Sequence, residues 1–234
     1  DFHSYTEYQG SEFKHDRKRY TLGMAKQVSE FWADNMYNPE TEIVIGDDRI
    51  QEWWDNKKQE IKFDSNFNEL EELTFALGTT ATVQYSDADE GYVDIDYLTH
   101  DKIYPLEVRN GEILSVAFVS QYDDDIYYIN IHERQGNGYK IYNKFFEVDE
   151  ESYTEVLLDN VATEFTSKVK LFQIHRPAIA NNKVLGSPYG LSIFANAIEE
   201  LKATDIAYDA LSKEVQFGKI RVYLKSGAFI INHD

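Results

Sequence analysis

The chain has no cysteine among its 234 residues, which excludes disulfides and thiolate metal sites and fits a cytosolic fold. Long apolar runs are missing too: no stretch reaches the roughly 18 apolar residues of a membrane-spanning helix. The opening Asp1-Phe2-His3-Ser4-Tyr5 lacks the basic-then-apolar succession of a signal peptide. There is no initiating Met, and the end at Asn232-His233-Asp234 closely follows an apolar run, so the chain reads as an excised fragment. Proline is scarce, at 4 residues, and neither a low-complexity segment nor an internal repeat is visible. Basic residues are few, 23 against 42 acidic, for a net charge of −19. That balance argues against a conventional nucleic-acid binder, which needs a basic footprint. It leaves room for a protein that handles DNA without gripping it, or for an acidic surface that serves solubility alone.

What is present suffices for a packed core. Hydrophobic residues make up 42% of the chain and charged residues 28%, well mixed with aromatics, so one large domain or two small ones is expected. Residues 1–20 carry one basic cluster, Lys14, His15, Arg17, Lys18 and Arg19, and read as a solvated arm or an arm laid on an acidic neighbour. Thr21 can cap a helix running to about Met36, with Leu22, Ala25, Val28, Trp32 and Met36 on one face. Asn38-Pro39 stops it, because the residue before proline is pushed out of the helical region. Glu42–Ile45 reads as a short strand. Asp47-Asp48 can cap a second helix bearing Ile50, Trp53, Trp54 and Ile61. Its adjacent tryptophans point roughly 100° apart and cannot share one core face. Ser65 opens a third helix, with Phe67, Leu70, Leu73 and Leu77 inward and Gly78 as its stop.

From Thr79 to Val148 the period changes to two, the pattern of an antiparallel meander. The pairs are Thr79–Tyr85 with Tyr92–Tyr97, Lys102–Val108 with Glu112–Tyr122, and Ile126–Gln135 with Tyr139–Val148. Asn110-Gly111 is a strong two-residue hairpin signal, since both positions need positive φ. Pro105 demotes its strand to an edge or a bulge. Residues 149–168 are acidic and weakly patterned, a loop or short turns, before a last strand at Lys170–His175.

Candidate chemistry is thin. Asp94, Asp96 and Asp101 with His100 could hold a hard cation through carboxylate oxygens, though alternating acids on a solvated strand face give the same pattern. Asp123-Asp124-Asp125 lacks the interleaved ligands and glycine of a calcium loop and reads as a turn. The six histidines lack zinc-protease spacing. Gly136-Asn137-Gly138 is no dinucleotide loop, and Gly190-Leu191-Ser192-Ile193-Phe194 fails as a nucleophile elbow, leaving Ser192 as a helix cap. The reading is a non-enzyme with no catalytic, cofactor-binding or metal-binding residues.

Ser187–Leu224 organises the chain. From Ser192 to Phe217 it reads as one helix roughly 39 Å long, ended by Gly218 as a left-handed cap. Phe194, Ala197, Ile198, Leu201, Tyr208, Leu211 and Val215 form an apolar stripe, with Glu199, Lys202, Asp209 and Lys213 on the other side. A β-branched and aromatic run, Ile220, Arg221, Val222, Tyr223 and Leu224, follows at once. Residues 181–224, NNKVLGSPYGLSIFANAIEELKATDIAYDALSKEVQFGKIRVYL, resemble the approach to the stem in portal proteins of tailed phages, the siphophage type that infects Gram-positive bacteria. In that family a Ser-Pro-Tyr-Gly-like turn precedes the stem helix, which enters an α/β clip domain. Two further segments, TLGMAKQVSEFWADNMYNPETEIVI (21–45) and HDKIYPLEVRNGEILSVAFVS (100–120), are similar to the same family.

The expected fold is α+β: N-terminal helices, an antiparallel meander, then a long stem-like helix leading into a clip strand. The resemblance implies a wing-like domain over 1–186, a stem helix over 187–217 and the start of a clip over 218–234. It further implies a homo-oligomeric ring of about twelve subunits, placed at the capsid vertex of the virion and assembled in the host cytoplasm. Double-stranded DNA would pass through the ring without tight binding. Terminase, scaffold, capsid and head–tail connector proteins would be its partners. Glu199, Lys202, Asp209 and Lys213 would then be candidates for the channel side. Tyr208, Leu211 and Val215 would pack between subunits, and Ile220, Arg221, Val222 and Tyr223 would form the clip strand. The alternatives are a metal-dependent hydrolase or nuclease using the acidic strands, and a surface adhesion module, which the missing signal peptide disfavours.

Overall fold

The computed structural model describes residues 2–9, 13–38, 40–86, 93–149, 152–158 and 161–218. Two strands come first, β1 (Ser4–Gln9) and β2 (Phe13–Lys18). Three helices follow: α1 (Met24–Met36), α2 (Asp48–Glu60) and α3 (Phe63–Leu77). Then come β3 (Thr80–Ser86), β4 (Val93–Thr99), β5 (Ile103–Arg109), β6 (Glu112–Asp123), β7 (Ile126–Gln135) and β8 (Gly138–Val148). The short β9 (Tyr153–Val156), β10 (Glu164–Ser167) and β11 (Phe172–His175) lead to the long α4 (Ile198–Gly218). This is an α+β chain with antiparallel sheets. It divides into two units, one of Ala25–Ala195 and one combining Asp1–Met24 with Asn196–Asp234.

In the larger unit the helices are set by local chemistry. The Asp47 carboxylate accepts the N–H groups of Arg49 and Ile50 at 3.0 and 3.3 Å and starts α2. Lys62, at φ 52°, turns the chain into α3, which opens at Phe63 rather than at Ser65. Gly78, at φ 87°, ends α3 with its N–H on the Thr74 carbonyl at 2.8 Å, as its sequence position foretold. Helix α1 starts at Met24 rather than Thr21, and its buried flank is Ser29 and Ala33, continuing to Tyr37. Trp32 and Met36 stay 48% and 62% exposed. At the end of this flank the Tyr37 ring packs edge-on against Phe63 and Phe67, 5.9 and 5.0 Å between centroids. Of the paired tryptophans, Trp54 packs edge-on against Phe63 while Trp53 is exposed. The expected strand at Glu42–Ile45 is absent: the Gln51 side chain takes the Ile45 N–H at 2.6 Å and meets the Ile43 carbonyl at 3.1 Å, so this backbone pairs without a ladder.

The strands form two sheets rather than one meander. One has the order β10-β8-β7-β6-β5, with β9 also on β8; the other is β11-β3-β4. Ala81, Val83, Leu98 and Phe172 of the second meet Ile103, Ile113, Val116 and Phe118 of the first in a shared core. Pro105 lies on the edge strand β5, beside register shifts, where its missing N–H is harmless. Asn110 and Gly111 have φ 52° and 78°, the two positive angles the turn requires. The Asp87–Gly91 turn lies outside the described residues. The acidic stretch expected to be loop supplies β9 and β10, which continue the sheet from opposite ends of β8. Lysines on β8 draw them in, Lys144 to Glu155 at 3.2 Å and Lys140 to Glu164 at 2.9 Å.

The Ser-Pro-Tyr-Gly loop is bolted to this unit. Gly190 donates to the Thr79 hydroxyl at 2.8 Å, and the Tyr189 hydroxyl donates to the Ile103 carbonyl at 2.7 Å. Arg176 holds the Pro188 carbonyl at 2.7 Å. Ile193 donates its N–H to the Phe75 carbonyl at 3.1 Å, and Ala195 closes a tight i→i+3 turn on the Ser192 carbonyl at 3.0 Å, so this stretch is turn rather than helix. The helix starts at Ile198 instead, and its 21 residues span about 32 Å. Gly218 is its last helical residue. Among the described residues no helix is long and apolar enough to cross a membrane.

Candidate assembly surface on the long helix

In the smaller unit β1 and β2 form an antiparallel hairpin, with Tyr5 opposite Arg17 and Thr6 opposite Asp16. The basic segment is therefore one strand of a folded ribbon, its Lys14, Arg17 and Lys18 exposed, and the chain just after it meets the acids of α4. Asp205 accepts the Leu22 N–H and the Thr21 hydroxyl, both at 3.0 Å. Asp209 accepts the Tyr20 N–H at 3.1 Å and pairs with Lys213 at 2.7 Å. Lys213 also donates to the Tyr5 hydroxyl and sits over its ring. The Lys213 hydrogen bond holds the Asp209 carboxyl below the usual carboxylate range, and the same contact raises the lysine. Gln216 reaches the Tyr20 hydroxyl at 3.2 Å. Arg19 lies over the rings of Phe2 and Tyr5, 4.9 and 4.6 Å from their centroids.

Residues 202, 205, 209, 213 and 216 recur at helical spacing, so they make one flank of α4, and that flank is occupied by the chain's own N-terminus. Of the four charged residues singled out in the sequence, Glu199 is open to solvent and pairs with Lys202 at 2.8 Å. Lys202 lies 5.9 Å from the Phe2 ring. Asp209 is buried, and with Lys213 it faces Tyr5 and Tyr20 rather than an open polar side. The reason is local: in this unit the segment after the hairpin brings the Tyr20 and Leu22 N–H groups and the Thr21 hydroxyl to carboxylates of α4, one of which Lys213 of the same helix also pairs.

The apolar residues stand elsewhere. Tyr208, Leu211 and Val215, at i, i+3 and i+7, lie about a third of a turn round the helix from the clamped flank. Leu211 is 64% and Val215 58% exposed. The clip-strand residues Ile220, Arg221, Val222 and Tyr223 lie outside the described residues.

The acidic strand candidates do not gather. Asp94 accepts the Tyr85 hydroxyl at 3.3 Å and the Ile95 N–H at 2.7 Å. Asp101 accepts from Thr99 in the turn after β4. Asp123 accepts the Asp124 N–H within the β6–β7 turn. Among the described residues no three His, Asp or Glu side chains come close enough to hold a metal ion. The roles of Tyr5, Tyr20 and Asp205 were not picked out from sequence. The available signal was the aromatic residues on either side of Gly10 (Phe2, Tyr5, Tyr8, Phe13 and Tyr20), with acids at helical spacing two hundred residues away. Comparison with models of known protein families and with curated proteins yields no match for this chain.

Proposed function

We propose that the chain is a structural subunit of a tailed-phage portal ring, through which double-stranded DNA is packaged into and ejected from the capsid. The ring would sit at a capsid vertex of the virion, after assembly in the host cytoplasm. It would serve as the docking site for the terminase motor, scaffold and capsid proteins, and the head–tail connectors. The resemblance of residues 21–45, 100–120 and 181–224 to that family supports the reading.

One observation carries it further. Helix α4 has one flank covered by the hairpin of its own chain, while Tyr208, Leu211 and Val215 are left exposed on another. A contiguous apolar strip of this kind on a long helix marks a protein interface, and a copy of the same helix in a closed ring is the partner that the family supplies. Electron microscopy of the purified chain tests the proposal. Closed rings of about twelve subunits with a central channel are expected; uniform monomeric particles at the same concentration would count against it.

A further inference from the structure

The larger unit contains an open groove of about 470 Å³ between α2 and the face of the β11-β3-β4 sheet. That volume is in the range of ordinary ligand sites. Trp53, Trp54 and Ile61 form one wall, while Val93, Ile95 and Leu171 lie on the other. The polar groups along it are donors or amides: Lys57, Lys170, Thr82, Gln84 and Gln173. Among the described residues no aspartate or glutamate lines it, although Glu60 pairs with Lys57 and Glu112 acts on Lys170. Lys57 is buried and paired with Glu60 at 3.0 Å. Lys170 is half-buried, lies 4.5 Å from the Phe172 ring centroid and makes no ion pair among the described residues. Burial lowers its pKa, against the raising charge of Glu112. The indole N–H of Trp54 is buried with no hydrogen-bond partner among the described residues.

We propose that this groove binds an extended apolar peptide segment of a partner protein through a carboxylate on that segment, with Lys170 as its counter-ion. The chemistry selects the occupant. The groove supplies a half-buried cation that makes no ion pair among the described residues and an indole donor left unmet. Trp53, 54% exposed at the rim, offers a flat apolar surface to the segment's neighbouring side chains. An open trough suits an extended chain better than an enclosed small molecule. The proposal does not depend on the portal reading.

Selection from a bead-displayed random hexapeptide library tests it on the full chain. Peptides with Asp or Glu flanked by aliphatic or aromatic residues should be enriched over a Lys170→Glu control. Lys170→Ala should weaken the selected peptides by about tenfold or more, the size of one charge-assisted hydrogen bond. Replacing the peptide carboxylate by its amide should do the same. With ¹⁵N-labelled tryptophan the chain gives three indole signals, assigned by Trp→Phe variants. Titration should move those of Trp53 and Trp54 and leave that of Trp32 in place. No enrichment over the control, enrichment without acidic residues, or binding indifferent to Lys170→Ala would overturn the proposal. So would equal movement of the Trp54 signal by a single-stranded oligonucleotide. An unchanged Trp32 signal in Lys170→Ala guards against misfolding, and Lys170→Arg, which keeps the charge, should retain binding.

Discussion

Gly190→Ala probes the junction that fixes the loop before α4. A Cβ added there would lie 2.1 Å from the Gly78 carbonyl oxygen and 3.1 Å from Arg176 Cβ. Arg176 can yield; Gly78 cannot. Its positive φ and its N–H bond to Thr74 end α3, and its own Cβ position is 2.7 Å from the Leu191 backbone. The loop must therefore lift, breaking the 2.8 Å bond from the Gly190 N–H to Thr79. Overpacking costs about 1–3 kcal/mol, and the lost hydrogen bond about 1 kcal/mol more. A loss of about 2–4 kcal/mol should lower the melting midpoint of a unit this size by about 5–15 °C. Gly46→Ala, where nothing stands within 4 Å, is the control and should melt like the parent. Circular dichroism melts of both variants decide it. A Gly190→Ala midpoint within about 2 °C of the parent would show that the loop moves at no cost, and the packing argument would fail.

Two further predictions concern protonation and DNA. His132 is 1% exposed among Phe118 and Phe172, and burial pushes its pKa down to about 4. The unfolded chain takes up a proton near pH 6.5 that the native state refuses. Stability should therefore fall as pH drops from about 6.5 to 4, by about 3 kcal/mol in all. Urea titrations across this window should give that slope in the parent and a flatter one in His132→Leu; equal slopes would refute the assignment. For DNA, net charge −19 per chain, with Lys213 and Lys202 already engaged within the chain, predicts duplex affinity weaker than about 10⁻⁶ M at physiological salt. Nanomolar, sequence-indifferent binding by the assembled protein near 150 mM salt would rule out a channel that lets DNA slide.

Legibility in the sequence followed the range of the interactions. Asp47, Gly78 and Asn110-Gly111 were readable because the chain within four residues satisfies them. The start of α4 was not. Ser192-Ile193-Phe194 continues the helical pattern, but these residues form a tight turn anchored to α3 by the Ile193 N–H on the Phe75 carbonyl, more than a hundred residues earlier. Strands β9 and β10 were hidden because acids pair with lysines on β8, leaving no apolar alternation to see. The clamped flank of α4 was misread for the same reason. Asp209 and Lys213 look like a solvated i, i+4 pair until Tyr5 and Tyr20 are brought over them. Tyr208, Leu211 and Val215, by contrast, were legible as a stripe, and nothing in the described chain of their own unit buries them.

Native mass measurement of the parent chain beside Leu211→Asp tests the central claim most directly. The parent should appear as a closed homo-oligomer of about twelve copies. Leu211→Asp should shift it to smaller species, with an unchanged far-ultraviolet circular dichroism spectrum and melting of the larger unit, because a charge on the exposed strip touches only the interface. A parent that stays monomeric at high concentration, or a variant that unfolds as a whole, would contradict the account.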